Sequence, residues 1–183
     1  MAATAQLQNT LLSQLQSELD IIDAEARILH DALTDEELRR SAPGGGWTIG
    51  QVFEHLIVSN SLYYERMERA LATRRPAGSS KWRPTLFGRM LANSLSPQST
   101  RRLPAPRVFR PAPEPRAQVI QAFLESQERF RTLARAADGL DLNRIRVTSP
   151  VSPLFRLNFG DALRVIVVHE QRHFQQIRRI LGN

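Results

Sequence analysis

The sequence predicts an all-α protein, a four-helix bundle with a long crossover between its second and third long helices. Three observations carry that expectation. Four stretches keep apolar residues at three- and four-residue spacing; capping residues stand where several of them begin; and eight of the eleven prolines fall in one segment between the second stretch and the third. At 183 residues the chain suits one domain with a substantial core. Residues 1–183 are therefore expected to form a single unit, with 74–116 as a basic, Pro-rich crossover.

The first stretch runs from about Leu7 to Leu33, where Leu11, Leu15, Leu19, Ile22, Ala26, Leu29 and Leu33 step along one helical face. A short second helix is expected from Thr34, because Thr34-Asp35-Glu36-Glu37 has the reciprocal capping pattern, and it stops before Pro43 and Gly44-Gly45-Gly46. Thr48 and Gln51 form another such pattern. From there Ile49, Val52, Phe53, Leu56, Ile57, Asn60 and Tyr63 or Tyr64 keep a helical period to about Thr73. Residues from Pro76 to Pro115 cannot be one helix, since proline removes a donor and clashes with the preceding turn, but Thr85 to Ser94 can form a short one. A further long helix is read from Arg116 to Ala137 on Val119, Ile120, Phe123, Leu124, Phe130, Leu133 and Ala134, closed near Asp138-Gly139. Residues 140–158 are expected to be irregular or extended, with no convincing β pattern and no internal repeat. Asn158 with Asp161 in the first turn opens the final helix, whose Leu163, Ile166, Val167 and Ile177 suit a core.

Charge is uneven along the chain. Residues 74–116 hold ten basic side chains against one acid, Glu114, while the whole chain carries only +7, so the remainder is slightly acidic. Just one of the 25 basic residues is a lysine, which fits a composition biased towards arginine, and an arginine-rich loop is the plain expectation for the segment. Two functional readings stand beside it: attraction of anionic substrates, and phosphate contacts to nucleic acid with Trp82, Phe87 and Phe109 stacking on bases. No hydrophobic run approaches twenty residues, and Met1 to Gln6 lacks the basic start and apolar core of a signal peptide. A cytoplasmic protein with no membrane partner is expected. Cysteine is absent, so any metal must be held by nitrogen and oxygen, and any thiol chemistry must use a thiol from outside the chain.

The most informative motif is His169-Glu170-Gln171-Arg172-His173, two histidines four residues apart on the last helix, where both imidazoles point the same way and can grip one metal ion. A zinc peptidase of this pattern needs a third ligand downstream, but the ten following residues contain no His, Asp, Glu or Cys, so a third ligand is expected upstream. The other histidines are His30 and His55. Bundles project ligands inward from facing helices, and His55 lies on the second long helix. Three imidazoles leave positions open for water or substrate, and they suit Zn, Ni, Fe or Co.

Gly45-Gly46-Trp47-Thr48-Ile49-Gly50-Gln51-Val52-Phe53-Glu54-His55-Leu56, together with Leu157-Asn158-Phe159-Gly160-Asp161-Ala162-Leu163 leading into His169-Glu170-Gln171-Arg172-His173-Phe174-Gln175-Gln176-Ile177, resembles the DinB-like (DinB/YfiT) superfamily of four-helix-bundle metalloproteins. The resemblance implies that His55, His169 and His173 bind a divalent metal. It further implies a thiol-dependent S-transferase or isomerase using bacillithiol or mycothiol, or a metal-dependent hydrolase, acting on a small molecule. A low-molecular-weight thiol is then the expected cosubstrate, and its thiolate the nucleophile. The crossover lies outside the resemblance.

The remaining residues divide as follows. Glu170 turns about 100° from His169 and is expected to face solvent or a neighbouring helix rather than act as a general base. His30, at the end of the first helix beside Asp31, is expected to cap the helix dipole. Ser59 and Gln176 fall on the ligand faces as candidate cleft residues, and Trp47 is expected to be a packing anchor where the second long helix starts. A non-catalytic metal-binding or stress-response protein with a polyanion-binding loop is the alternative function. A small-molecule substrate ranks ahead of nucleic acid as partner, and bundles of this kind often pair through helix faces, so a homodimer is expected.

Overall fold

The computed structural model describes residues 6–73, 81–99 and 104–182. The first long helix, α1 (Gln8–Ala32), buries the predicted stripe Leu11, Leu15, Leu19, Ile22, Ala26 and Leu29. A single turn, α2 (Asp35–Leu38), carries the expected capping box, with Thr34 accepting from the Glu37 N–H and the Glu37 carboxylate accepting from the Thr34 N–H. The second long helix is α3 (Ile49–Thr73). At its start Gln51 N–H donates to Thr48 Oγ1 and Thr48 N–H to Gln51 Oε1, so two backbone donors without helical partners are satisfied at once.

Four helices form the bundle: α1, α3, α5 (Val119–Ala136) and α6 (Phe159–Leu181). Both α1 and α3 pack against both α5 and α6, so the order around the bundle is α1, α5, α3, α6. The first two long helices are therefore diagonal rather than neighbours. The predicted stripe on α3 lies inside, and Tyr63 and Tyr64 are both buried. α5 begins three residues later than predicted, after Gln118 takes a left-handed conformation at φ 50°.

The crossover contains α4 (Leu86–Leu95), close to the predicted short helix, with Thr85 capping it through the Gly88 N–H. It is fastened to the start of α6. Asn158 Oδ1 caps α6 by accepting the Asp161 N–H at 2.7 Å and also accepts Trp82 Nε1–H at 3.0 Å, while the Asp161 carboxylate accepts both the N–H and the hydroxyl of Thr85 at 3.0 and 2.6 Å. Two glycines permit this close approach: a Cβ at Gly160 would overlap the Trp82 indole, and one at Gly88 would overlap the Asp161 carboxylate. At its other end the crossover is tied to α3 by Arg116, which donates to both oxygens of Glu54 at 2.8 Å.

Four short strands correct the expectation of no β structure. Strand β1 (Gln6–Leu7) pairs antiparallel with β2 (Lys81–Trp82), and β3 (Arg146–Thr148) pairs antiparallel with β4 (Arg156–Asn158). Strands of two and three residues are too short to show a period of two. The register of the second pair places Val147 opposite Leu157, both buried. This hairpin lies against α3 and α6.

Candidate metal centre

The three histidines of the predicted set come from two helices. His55 is on the buried face of α3 two turns past the Thr48 cap, and His169 and His173 lie one turn apart on α6. Because α3 and α6 are neighbours in the bundle, the three rings meet: His55 Nε2 and His173 Nε2 each lie 3.1 Å from His169 Nε2. One nitrogen from each ring falls within 4.8 Å of the others, a cluster that could hold a metal ion. The edge of a tetrahedral site with zinc to nitrogen distances of about 2.0–2.1 Å is about 3.3–3.4 Å, close to the two 3.1 Å edges that meet at His169. His30 is elsewhere, at the exposed end of α1 with Nδ1 3.0 Å from Asp31.

The outer nitrogens of two rings are already committed. His55 Nδ1–H donates to the Phe109 carbonyl at 2.6 Å, and His173 Nδ1–H donates to Gln176 Oε1 at 2.9 Å. These bonds place the proton on Nδ1 and leave Nε2 as a bare lone pair aimed at its neighbours, the tautomer a metal requires. Burial lowers the pKa of His55, and burial with the neighbouring His55 lowers that of His173 to about 3. His169 is held well below its ordinary value by burial and then by the two other rings. The lone pairs of His55 and His173 thus converge on His169 Nε2, an arrangement that a cation between the three rings would satisfy.

Gln176 thus does not line the cleft; it orients His173 instead. Ser59 does line it, with its hydroxyl turned to the Leu56 carbonyl. Trp47 is more than an anchor: its ring lies 4.6 Å from that of His55 and 6.3 Å from that of His173, forming a wall of the centre. Glu170 faces neighbouring helices and is 0% exposed. Its carboxyl accepts from Asn60 of α3 at 2.6 Å and from Gln127 of α5 at 3.0 Å, and burial pushes its pKa up to about 8. Both of its oxygens are therefore engaged in the core, between α3 and α5.

Beside the triad opens a cavity of about 370 Å³, running along α3 from His55 past Ser59 to Tyr63. The crossover, outside the family resemblance, supplies one side of it through Phe87, Leu91, Leu95 and Phe109. Trp82 and Phe109 are buried and Phe87 stacks on Phe155, so none of the three crossover aromatics is a free platform for bases. Tyr63, Ser149 and Phe155 are cavity residues that sequence reasoning did not single out. The spacing of His55, Ser59 and Tyr63 at i, i+4 and i+8 is the one signal that pointed to Tyr63.

A family model described as the DinB superfamily matches residues 18–177. The chain belongs to the DinB superfamily. This DinB chain is also similar in structure to YfiT from Bacillus subtilis, described as a probable metal-dependent hydrolase with an unusual four-helix bundle topology; identity is 21%, the TM-score is 0.57, and the match covers 96% of this chain and 84% of that one. No curated protein matches the sequence. Among the described residues, no helix of this DinB protein is long and apolar enough to cross a membrane.

Proposed function

We propose that this protein holds one divalent metal ion on His55, His169 and His173 and is a metal-dependent enzyme that transfers a low-molecular-weight thiol to an electrophilic small molecule. The observation that carries the metal site is the convergence of three Nε2 atoms whose partners at Nδ1 already fix two of the rings. A cation there supplies Lewis acidity, which favours the anion of a thiol or of water in the open position.

Thiol transfer is favoured over hydrolysis by what surrounds the triad. Among the described cavity residues there is no Asp or Glu, and the nearby Glu170 is locked into the core. A thiol, with an ordinary pKa near 8.5, needs little help to ionise, whereas water needs far more. The chain has no cysteine to compete as nucleophile. In the transfer the thiolate sulfur forms a bond to the electrophilic carbon, and the leaving group departs with the electron pair of the broken bond. The protein's own groups orient the rings and exclude water.

Hydrolysis is the second reading, favoured by the description of YfiT as a probable metal-dependent hydrolase. The experiment is an assay of metal-loaded protein with a panel of electrophiles, with and without cellular thiols. Thiol-dependent loss of the electrophile, with a thioether adduct seen by mass spectrometry and abolished in His173→Ala, is expected. Turnover of the same rate without thiol, giving the hydrolysed product, would overturn the transferase reading in favour of hydrolysis.

A further inference from the structure

The cavity walls specify more than the reaction class. Their aromatic rings come in face-to-face pairs: Phe87 of α4 lies 5.0 Å from Phe155 of the β3–β4 connection with 12° between planes, and Tyr63 of α3 lies 6.3 Å from Phe109 with 20° between planes. Each pair packs ring on ring, so the walls offer the space rigid apolar carbon surface rather than free stacking faces. The polar groups in the walls are mostly turned away from the space. Ser59 donates to the Leu56 carbonyl, Asn60 to Glu170, and the Nδ1 protons of His55 and His173 are held by the protein.

Charge is scarce as well. Arg172 is the charged side chain among the described lining residues, and its Nη1 donates to the carbonyls of Ser96 and Ser99, both at 3.1 Å. A cation would meet no carboxylate, and an anion inserted along the apolar walls would give up hydration for few donors. At the end away from the triad, about 12 Å along α3 at 1.5 Å per residue, the lining includes Tyr63 and Ser149, two neutral hydroxyl side chains.

We propose that the cavity beside the triad binds a neutral, predominantly apolar molecule within about 370 Å³ and, in the metal-free protein, discriminates against ionised ones. That volume is at the small end for ligand pockets. The reactivity of such a ligand rests on the proposed function, whereas its binding rests on the cavity alone. The ligand lies between the Phe87–Phe155 and Tyr63–Phe109 walls, its electrophilic end towards the histidines.

The test uses full-length protein in metal-free and metal-loaded forms, titrated with the neutral fluorophore N-phenyl-1-naphthylamine and with 8-anilinonaphthalene-1-sulfonate, which has the same rings plus a sulfonate. Saturable binding of one neutral probe per chain in both forms is expected, with the sulfonate at least tenfold weaker in the metal-free form. Ala105→Phe, which narrows the cavity from a loop, is expected to weaken the neutral probe at least tenfold; Phe155→Ala, at a half-exposed rim position, is expected to weaken it several-fold. Melting temperatures close to wild type confirm that both variants fold. Equal or tighter binding of the sulfonate by the metal-free protein, absence of saturable neutral binding, or indifference of both folded variants would overturn the inference. Metal content measured on the same samples separates the two claims: probe binding to a protein that takes up no metal supports the cavity and defeats the metal reading, and metal uptake without probe binding does the reverse.

Discussion

Gln176→Leu removes the one side chain that holds His173 Nδ1, and it does so from a partly exposed position where the fold has little at stake. The lost bond is a 2.9 Å contact between neutral groups, itself contributing about 0.5–1.5 kcal/mol. Its larger effect is on the metal. Without the acceptor, His173 is free to shift its proton to Nε2 and to rotate, and each such molecule is unable to ligate. Losses of this kind typically weaken metal affinity by about 10–100-fold. Because His55 keeps its own hold on the Phe109 carbonyl, the lower end is expected here, about tenfold or about 1.4 kcal/mol. Gln176→Glu offers a stronger acceptor in the same place and is expected to restore affinity to at least the wild-type level. Competition against a chromophoric chelator with zinc and with nickel measures both variants, and the melting temperature of the metal-free proteins shows that the fold is unchanged. A folded Gln176→Leu protein within twofold of wild type would refute the reasoning, as would a Gln176→Glu protein as weak as the leucine variant.

Gly88→Ala forces a Cβ into the Asp161 carboxylate that fastens the crossover, so it is expected to destabilise the protein by about 1–3 kcal/mol. For a chain of this size the melting temperature falls by about 2–4 °C per kcal/mol, and an unchanged value would show that the crossover is not fastened there. Burial raises the pKa of Asp23, against the opposing Arg131 guanidinium. The folded state therefore holds that proton to higher pH than the unfolded chain, so stability falls as pH rises from the unfolded value, and the loss is complete above the folded value. Urea denaturation across the range from the ordinary carboxylate pKa upward should show wild type losing stability relative to Asp23→Asn as pH increases. The opposite slope would contradict the assignment.

How much of this was legible in the sequence depends on the range of the interaction. The α1 stripe from Leu11 to Leu29, the Thr34 and Thr48 capping boxes and the Asn158 cap are local patterns within a few residues, and all stand as read. The His55, His169 and His173 convergence was legible because helical periodicity fixes faces, and the resemblance indicated which helices face each other. Contacts made by backbone were invisible: the Phe109 carbonyl that holds His55 leaves no mark in residue identities. Gln176 was placed on the right face but given the wrong task, since spacing does not say whether a side chain reaches the cavity or its own neighbour. The crossover was read as an arginine-rich loop with a short helix, and that helix is present. Its place as a cavity wall was not legible, because it depends on long-range bonds between Trp82 and Asn158 and between Thr85 and Asp161. The glycines that allow this, Gly88 and Gly160, acquire meaning only once their partners are known.

The most direct measurement is elemental analysis of untagged protein supplied with zinc, nickel, iron and cobalt, for wild type and for His55→Ala, His169→Ala and His173→Ala. The account predicts about one divalent ion per wild-type chain and less than about 0.2 in each variant, with helical content preserved. Wild type below about 0.2 ion per chain, or a folded His173→Ala protein holding as much as wild type, would contradict it.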